Sequence, residues 1–351
     1  MKVDIKSITK KRLFLPLICL FLVLIANVIK TPGFFRITVT NGVLYGYVID
    51  VINRASELVI LAVGMTLVVA SSGGTDISVG VVMAVAGAVC CNILSGGVVS
   101  TTVYAAPWIL GVLAALAAAT LCGAWNGFLV SKMKIQPMVA TLILFTAGRG
   151  IAQLLTNGQI TYIRVDSFKM LGGNIAGIPL PTSVFVSVAV VIITSLLCNR
   201  TSLGLFVKSV GINKDASRLV GIKSTKIIFL CYTFCGFLAG IAGMIATSRI
   251  YSADANNIGL NMELDAILAV ALGGNSLGGG NFSLLGSVIG AYTIQALTTT
   301  LYAMGVSADQ IPVYKAVVVV IIVTLQSPEC RRYWNKFLAK TGIGAKAEVK
   351  A

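Results

Sequence analysis

The residues of this chain that could do chemistry are few, and their spacing argues against catalysis. There is no histidine. The eight cysteines (Cys19, Cys90, Cys91, Cys122, Cys198, Cys231, Cys235 and Cys330) fall mostly inside apolar runs, without the spacing of a metal or redox site. They read as small apolar residues. Gly221-Ile222-Lys223-Ser224-Thr225 has the lysine and hydroxyls of a phosphate loop. It lacks the glycine directly before the lysine and the upstream glycine that would let backbone amides cradle a phosphate. No G-x-G-x-x-G opens a helix after a strand. No catalytic residues, no metal site and no cofactor bound by the chain itself are expected.

What remains is a small set of polar residues in apolar surroundings: Glu57, Asn126, Arg149, Gln153 and Asp265. A charge at the centre of a bilayer costs from ~3 kcal/mol upwards, so such residues face a bundle interior or water. Arg149 stands between Gly148 and Gly150, with room to meet a hydroxylated solute or a carboxylate such as Asp265. Asn126 could bond a solute hydroxyl beside the ring of Trp125, or bond another helix. Gln153 and Asn257 join these as candidates for a pathway wall, with the wall itself left open. Asp76 is expected to cap the segment after it by accepting backbone amides. Asn261, Glu263 and Asp265 place acceptors and negative charge at the start of another helix.

The elements that hold these residues are set by composition. Of 351 residues, 57% are hydrophobic and 11% charged, against about 25% charged in a soluble domain. Many apolar runs approach the ~17–25 residues that cross a bilayer. The pattern predicts an all-α polytopic membrane protein of about ten transmembrane helices, some broken by Gly-rich turns. The expected spans are Leu13–Ile29, Val51–Ser71, Val79–Leu94, Trp108–Val130, Pro137–Leu155, Ser183–Cys198, Ile227–Ser248, Ile258–Gly273, Leu284–Leu301 and Val313–Leu325. Residues 1–12 form an N-terminal tail, 13–326 the membrane domain with a polar loop at 199–226, and 327–351 a C-terminal tail. Pro137 suits a first helical turn. Lys315 is expected to snorkel to the outer surface.

The net charge of +15 follows the same map. Basic residues gather before the first span (Lys2, Lys6, Lys10, Lys11, Arg12), at Lys132 and Lys134, along the 199–226 loop, and in the tail from Arg331. Under the positive-inside rule these segments and both termini are cytoplasmic. The distribution orients a membrane protein and does not point to nucleic acid.

Two glycine clusters interrupt the spans. Gly73-Gly74-Thr75-Asp76-Ile77-Ser78-Val79-Gly80 divides the second from the third, and Gly273-Gly274-Asn275-Ser276-Leu277-Gly278-Gly279-Gly280 the eighth from the ninth. Broken helices in corresponding parts of two halves point to a transport pathway, and tight turns between antiparallel spans are the alternative. Gly73, Gly74, Asp76, Gly273, Gly274 and Gly279 are the gating candidates. Between the sixth and seventh spans, residues 210–222 form a short charged unit. If helical, it puts Ile212, Ala216, Leu219 and Val220 on one face and Lys214, Asp215 and Arg218 elsewhere. Such a unit either presses on a soluble partner or lies on anionic lipid.

These motifs carry a resemblance. Gly64-Met65-Thr66-Leu67-Val68-Val69 followed by Gly73-Gly74-Thr75-Asp76-Ile77-Ser78-Val79-Gly80 resembles the signature of simple-sugar ABC importer permeases, the family of ribose and galactose systems. Ala124-Trp125-Asn126-Gly127, Pro137 to Leu142, Arg149-Gly150, Glu263 to Ile267 and Gly273-Gly274 with Gly279-Gly280 follow in the family's order, over about residues 45 to 325. Asn41 to Gly46, Ala147 to Leu154, Gly158-Gln159-Ile160 and Ala253 to Asn257 look like its galactofuranose branch. The chain departs at Ser71-Ser72, one residue longer than that branch, and has Thr75 where isoleucine is usual. The resemblance implies a bacterial inner-membrane permease that imports a monosaccharide, galactofuranose-like or else ribose, another simple sugar or an autoinducer-type solute. It implies a cytoplasmic ATPase that uses ATP and Mg, a periplasmic sugar-binding protein, and a second permease subunit, a heterodimer rather than a homodimer. Gly211, Asn213, Lys214, Ala216, Arg218, Leu219 and Gly221 then match the helix that couples to the ATPase. The rival class is a secondary transporter driven by protons or sodium, which would need more ionisable residues along its pathway than this chain has.

Overall fold

The computed structural model describes residues 14–326 apart from 32, 41 and 176. The two basic tails, Leu13, Cys330 and Asn41 lie outside the described residues. From Ala55 to Ser72 the sequence is, apart from Glu57, apolar or small on every side, and a helix of that kind is stable only inside a bundle. It forms the end of α2 (Tyr47–Ser72), and every residue in that stretch is buried. Against α2 lies α9 (Ser224–Ile250), and α9 in turn packs on α3 (Val79–Ser95); Gly and Ala recur along both α3 and α9. Outside this core stand α4 (Trp108–Ser131), α5 (Pro137–Leu155) and α6 (Thr182–Arg200). Their outer faces expose Leu113, Leu121, Val139, Ile143, Ile192 and Leu196, as a lipid-facing surface does. Helices α1 (Phe14–Lys30), α11 (Leu284–Ala303) and α12 (Ile311–Gln326) close the other side.

Six of the described helices, α2, α4, α5, α6, α9 and α11, are long and apolar enough to cross a membrane. The expected eighth span is corrected. Helix α10 covers only Met262–Leu272, 11 residues and about 16 Å, roughly half of a hydrocarbon core of ~30 Å. Residues before it form a loop held by its own side chains: Asp254 Oδ1 accepts from the amides of Asn256 and Asn257 at 3.0 and 3.2 Å.

Short strands gather at one end of the bundle. β1 (Thr38–Thr40) pairs antiparallel with β2 (Val43–Tyr45). β4 (Thr161–Ile163) lies between a parallel β3 (Ser100–Thr101) and an antiparallel β5 (Ser252–Ala253). The opposite end carries α7 (Leu203–Ile212) and α8 (Lys214–Leu219). Helix α9 fixes the separation. It begins beside α8, where Ser224 Oγ donates to Lys214 O, and ends beside β5, about 40 Å away for 27 residues. These ends are called the lever face and the strand face below.

Small residues set the closest helix contacts, because lipid gives apolar side chains no reason to associate. Gly123 on α4 and Gly236 on α9 bring two backbones together: a Cβ on Gly123 would lie 2.5 Å from Tyr232 O and 2.8 Å from Gly236 Cα. Gly236→Leu must force α4 from α9, at the ~1–3 kcal/mol or more of core overpacking. Its thermal midpoint in detergent is expected to fall well below that of Leu121→Phe on the exposed face; equal midpoints would contradict this packing.

Candidate functional site

The last turn of a helix leaves its carbonyls without intrahelical partners, which is costly away from water. The sequence breaks α2 after Ser72 inside the bundle, so those carbonyls need other donors. Val69 O accepts from Gly73 N at 3.0 Å, with Gly73 left-handed at φ 68°. Ala70 O accepts from Gly280 N at 2.9 Å. Ser72 O accepts from Lys214 Nζ at 3.1 Å, an ammonium at the negative end of a helix dipole. One helix end is thus capped by the second glycine cluster and by the charged unit of the lever face together.

Glycine makes that convergence possible. A Cβ on Gly211 would run into Ala70 O and come within 2.5 Å of Gly280 N. Gly279, at φ 93°, presents its missing side chain to Gly211 O and Gly73 Cα, each 3.1 Å from an added Cβ. Gly73, Gly211 and Gly279, singled out separately in the sequence, meet at one knot. Gly273 lies one step deeper, backbone to backbone with Gly286 on α11. Gly74 packs on Pro137, which occupies the first turn of α5 as expected. Gly274, at φ 78°, turns the chain out of α10.

The charged unit is not one continuous helix. Asn213 is extended at φ −155°, ends α7 and caps α8, accepting from Asp215 N at 3.0 Å and Ala216 N at 2.9 Å. The expected shared face of Ile212 with Leu219 is therefore cut at Asn213. Ser217 turns inward and is buried, while Leu219 is 89% and Val220 76% exposed beside the exposed Arg218. Gly221, at φ 85°, reverses the chain toward α9. Lys214, expected to reach a partner, donates to α2 instead.

Each break has its own polar network. At the first, Asp76 is 2% exposed, and its Oδ1 accepts from Ser78 N at 2.9 Å and Ser78 Oγ at 2.6 Å. It caps a single amide ahead of α3. Asn126 Nδ2 donates to the same Ser78 Oγ at 2.8 Å and is fully buried, so Asn126 bonds another helix rather than lining an open wall. Trp125 points away, half exposed and stacked on Phe128. Ser71 and Ser72 form the final turn of α2, where Ser72 Oγ donates to Val68 O and accepts from Gly74 N. At the second break the sequence reading missed Asn275. Its Oδ1 accepts from Ser283 N at 2.6 Å, and its Nδ2 donates to Ser287 Oγ at 2.8 Å. Ser287 Oγ in turn lies 2.6 Å from Thr66 Oγ1 on α2.

Toward the strand face a polar cavity of 430 Å³ opens between α2, α9, α10 and α11. Asn257 and Asp265 line it, as does Arg249, which pairs with Glu57 at 3.0 Å and donates to Asn53 O. Gln295, Thr298 and Tyr302, spaced i, i+3 and i+7, put one polar stripe of α11 into it. That spacing was legible in the sequence and was overlooked. Arg149 does not meet Asp265. Its Nη1 donates to the carbonyls of Ala255 and Ile258, both at 2.8 Å, while Gln153 Nε2 holds Asn256 Oδ1 at 2.6 Å. Both residues position the loop that presents Asn257. Asp265 is instead bonded to Lys315 at 2.7 Å, so Lys315 ties α12 to α10 and does not snorkel. Asn261, at φ 61°, makes no side-chain cap of α10.

Residues 47–325 match the family described as branched-chain amino acid transport system / permease component. The chain belongs to this permease family. It is 44% identical over 311 residues to the galactofuranose transporter permease protein YtfT of Escherichia coli K12, covering 89% of this chain and 88% of that one. It is 40% identical to the fructose import permease protein FruF of Bifidobacterium longum (89% and 86% covered) and 36% identical to the ribose import permease protein RbsC of Escherichia coli K12 (87% and 91% covered). A solved structure, PsaBC from Streptococcus pneumoniae in complex with Fab, aligns with TM-score 0.47 at 14% identity, over 82% of this chain and 94% of that one. The chain is a membrane-spanning transport component of an ABC importer, not an enzyme.

In this permease Lys214 is accordingly a fastener for α2. A hydrogen bond to a charged group is worth about 1.5–3 kcal/mol. Lys214→Met is expected to lower the thermal midpoint of the purified permease, and Lys214→Arg to restore most of the loss. An unchanged midpoint in the methionine variant would contradict the assignment.

Proposed function

We propose that this permease imports a monosaccharide of the galactofuranose type across a bacterial inner membrane, driven by ATP and Mg used in a separate ATPase on the lever face. A periplasmic binding protein delivers the sugar at the strand face, and a second, different permease subunit completes the pathway. The observation that carries this reading is the division of α8. Its inner side is fastened to α2, and Arg218, Leu219 and Val220 stand exposed on its outer side. Asn213, Ala216 and Gly221 shape the unit and Gly211 seats it.

Charge supports the orientation. The lever face carries Lys132, Lys134, Arg200, Lys208, Lys214, Arg218, Lys223 and Lys226 against Asp215, whereas the strand face mixes Lys30, Arg36, Arg164 and Lys169 with Asp50, Asp166, Asp254 and Asp309. The positive-inside rule makes the lever face cytoplasmic. Helix α1 starts and α12 ends on that side, in keeping with two cytoplasmic tails. The cavity toward the strand face supplies what a sugar needs, amides and a phenol that both donate and accept and a carboxylate that accepts. ATP closes the ATPase pair and draws α8 inward; α2 and the glycine cluster at 278–280 follow, and the cavity changes shape. Contact with the ATPase helps only to the extent that its energy differs between the two states.

The test is Arg218→Glu in the complex reconstituted with its ATPase and binding protein. Reversing a contact charge is expected to cut uptake at least about tenfold, equivalent to ~1.4 kcal/mol, with ATP hydrolysis no longer following sugar. Sugar-stimulated hydrolysis and uptake at normal rates would refute the coupling role. Competition by ribose or fructose ahead of galactofuranose would overturn the substrate and leave the coupling role standing. Uptake that persists on an ion gradient without ATP would favour the secondary-transporter class.

A further inference from the structure

We propose that the basic hollow between the lever-face ends of α4 and α9 binds the headgroup of an anionic phospholipid such as phosphatidylglycerol. The hollow has a volume of 730 Å³. Lys132 follows the last residue of α4, Lys223 precedes α9, Lys226 lies in the first turn of α9, and Arg218 closes the remaining side. No carboxylate lines it; Asp215 lines an adjoining hollow of 340 Å³ that shares Ser131 and Arg218 with it. Four cations gathered around one space repel each other unless an anion sits among them.

Two further features point to a phosphate as that anion. Ser131 lines the hollow, is 8% exposed, and its buried Oγ has no hydrogen-bond partner among the described residues. The hollow also lies at the N-terminus of α9, a helix of 27 residues whose dipole favours negative charge, although Ser224 N and Lys226 N already donate to Ile222 O and Lys223 O. A phosphodiester accepts from ammonium, guanidinium, hydroxyl and amide alike.

The walls select a lipid over a free anion or an acidic protein. Phe128 and Phe229 line the hollow one turn deeper than Lys132 and Lys226, four and three residues along their helices. Aromatic rings below and lysines above are the order in which an acyl chain and its headgroup meet a protein. Basic pockets between helices at a membrane surface bind such headgroups by this complementarity. A soluble anion gains nothing from the rings.

The whole transporter, equilibrated with vesicles of equal phosphatidylglycerol and phosphatidylcholine, is examined by native mass spectrometry for retained lipid. The unaltered transporter is expected to keep phosphatidylglycerol in preference. Lys132→Gln with Lys226→Gln removes two ammonium groups from an anionic surface, a factor of about thirty in retention, with the ATPase still bound. Lys132→Arg with Lys226→Arg keeps the preference, which separates lost charge from lost fold. An undiminished preference in the glutamine variant overturns the proposal. So does displacement of the lipid by inorganic phosphate, or loss of the ATPase with the lipid retained.

Discussion

A helix that ends inside a membrane protein must find donors for its last carbonyls, and this constraint organises the permease. Helix α2 is buried from Ala55 to Ser72 and stops there. Leaving one carbonyl unpaired in such surroundings costs roughly 2–7 kcal/mol. The donors that prevent this come from far along the chain, Gly280 for Ala70 and Lys214 for Ser72. Neither α8 nor the second break can shift relative to α2 without giving up one of these bonds. Hydrogen-bond satisfaction therefore ties the three segments together, and the glycines at 73, 211 and 279 leave the space in which the three backbones meet.

The same helix reaches the other working part. Arg54 and Glu57 line the cavity toward the strand face, and Ala70 lies about 20 Å beyond Glu57 along the axis. On the proposed reading, a helix buried from Ala55 onward joins the place where solute would enter to the place where force would be applied. The network Thr66–Ser287–Asn275 links α2 to α11, which carries the polar stripe of the cavity. Coupling over such distances needs an element with two arrangements that both sites bias. On the proposed reading, α2, α11 and the two breaks between them are the candidates for that element.

Much of this was legible in the residues. Apolar runs and basic clusters marked the spans, the glycine clusters marked the breaks, and the charged stretch at 210–222 marked the lever. What was not legible was who meets whom. The sequence suggests that Arg149 meets a hydroxylated solute or a carboxylate such as Asp265, yet it donates to two carbonyls of a loop, and that acid is taken by Lys315. Lys214 looked like a surface charge because a sequence does not reveal that a helix end lies beside it. Asn126 and Trp125, adjacent in sequence, face opposite ways on α4, one to the core and one outward. Helix α10 read as a span because Ile258 and Leu260 extend its apolar run, but Gly259 and Asn261 at positive φ, following the Asp254 turn, stop it. The family comparison settles the class of protein, while these pairings explain how its parts hold together.

The central claim is that α8 and the second break move as one body with the end of α2. Distances between probes on non-natural amino acids, measured by pulsed electron resonance in nucleotide-free and ATP-trapped transporter, test it most directly. A pair at Asp215 and Leu277 is expected to keep one distance in both states, while a pair at Arg54 and Leu260 across the outer cavity changes. A change between Asp215 and Leu277 with the outer pair fixed would contradict the account.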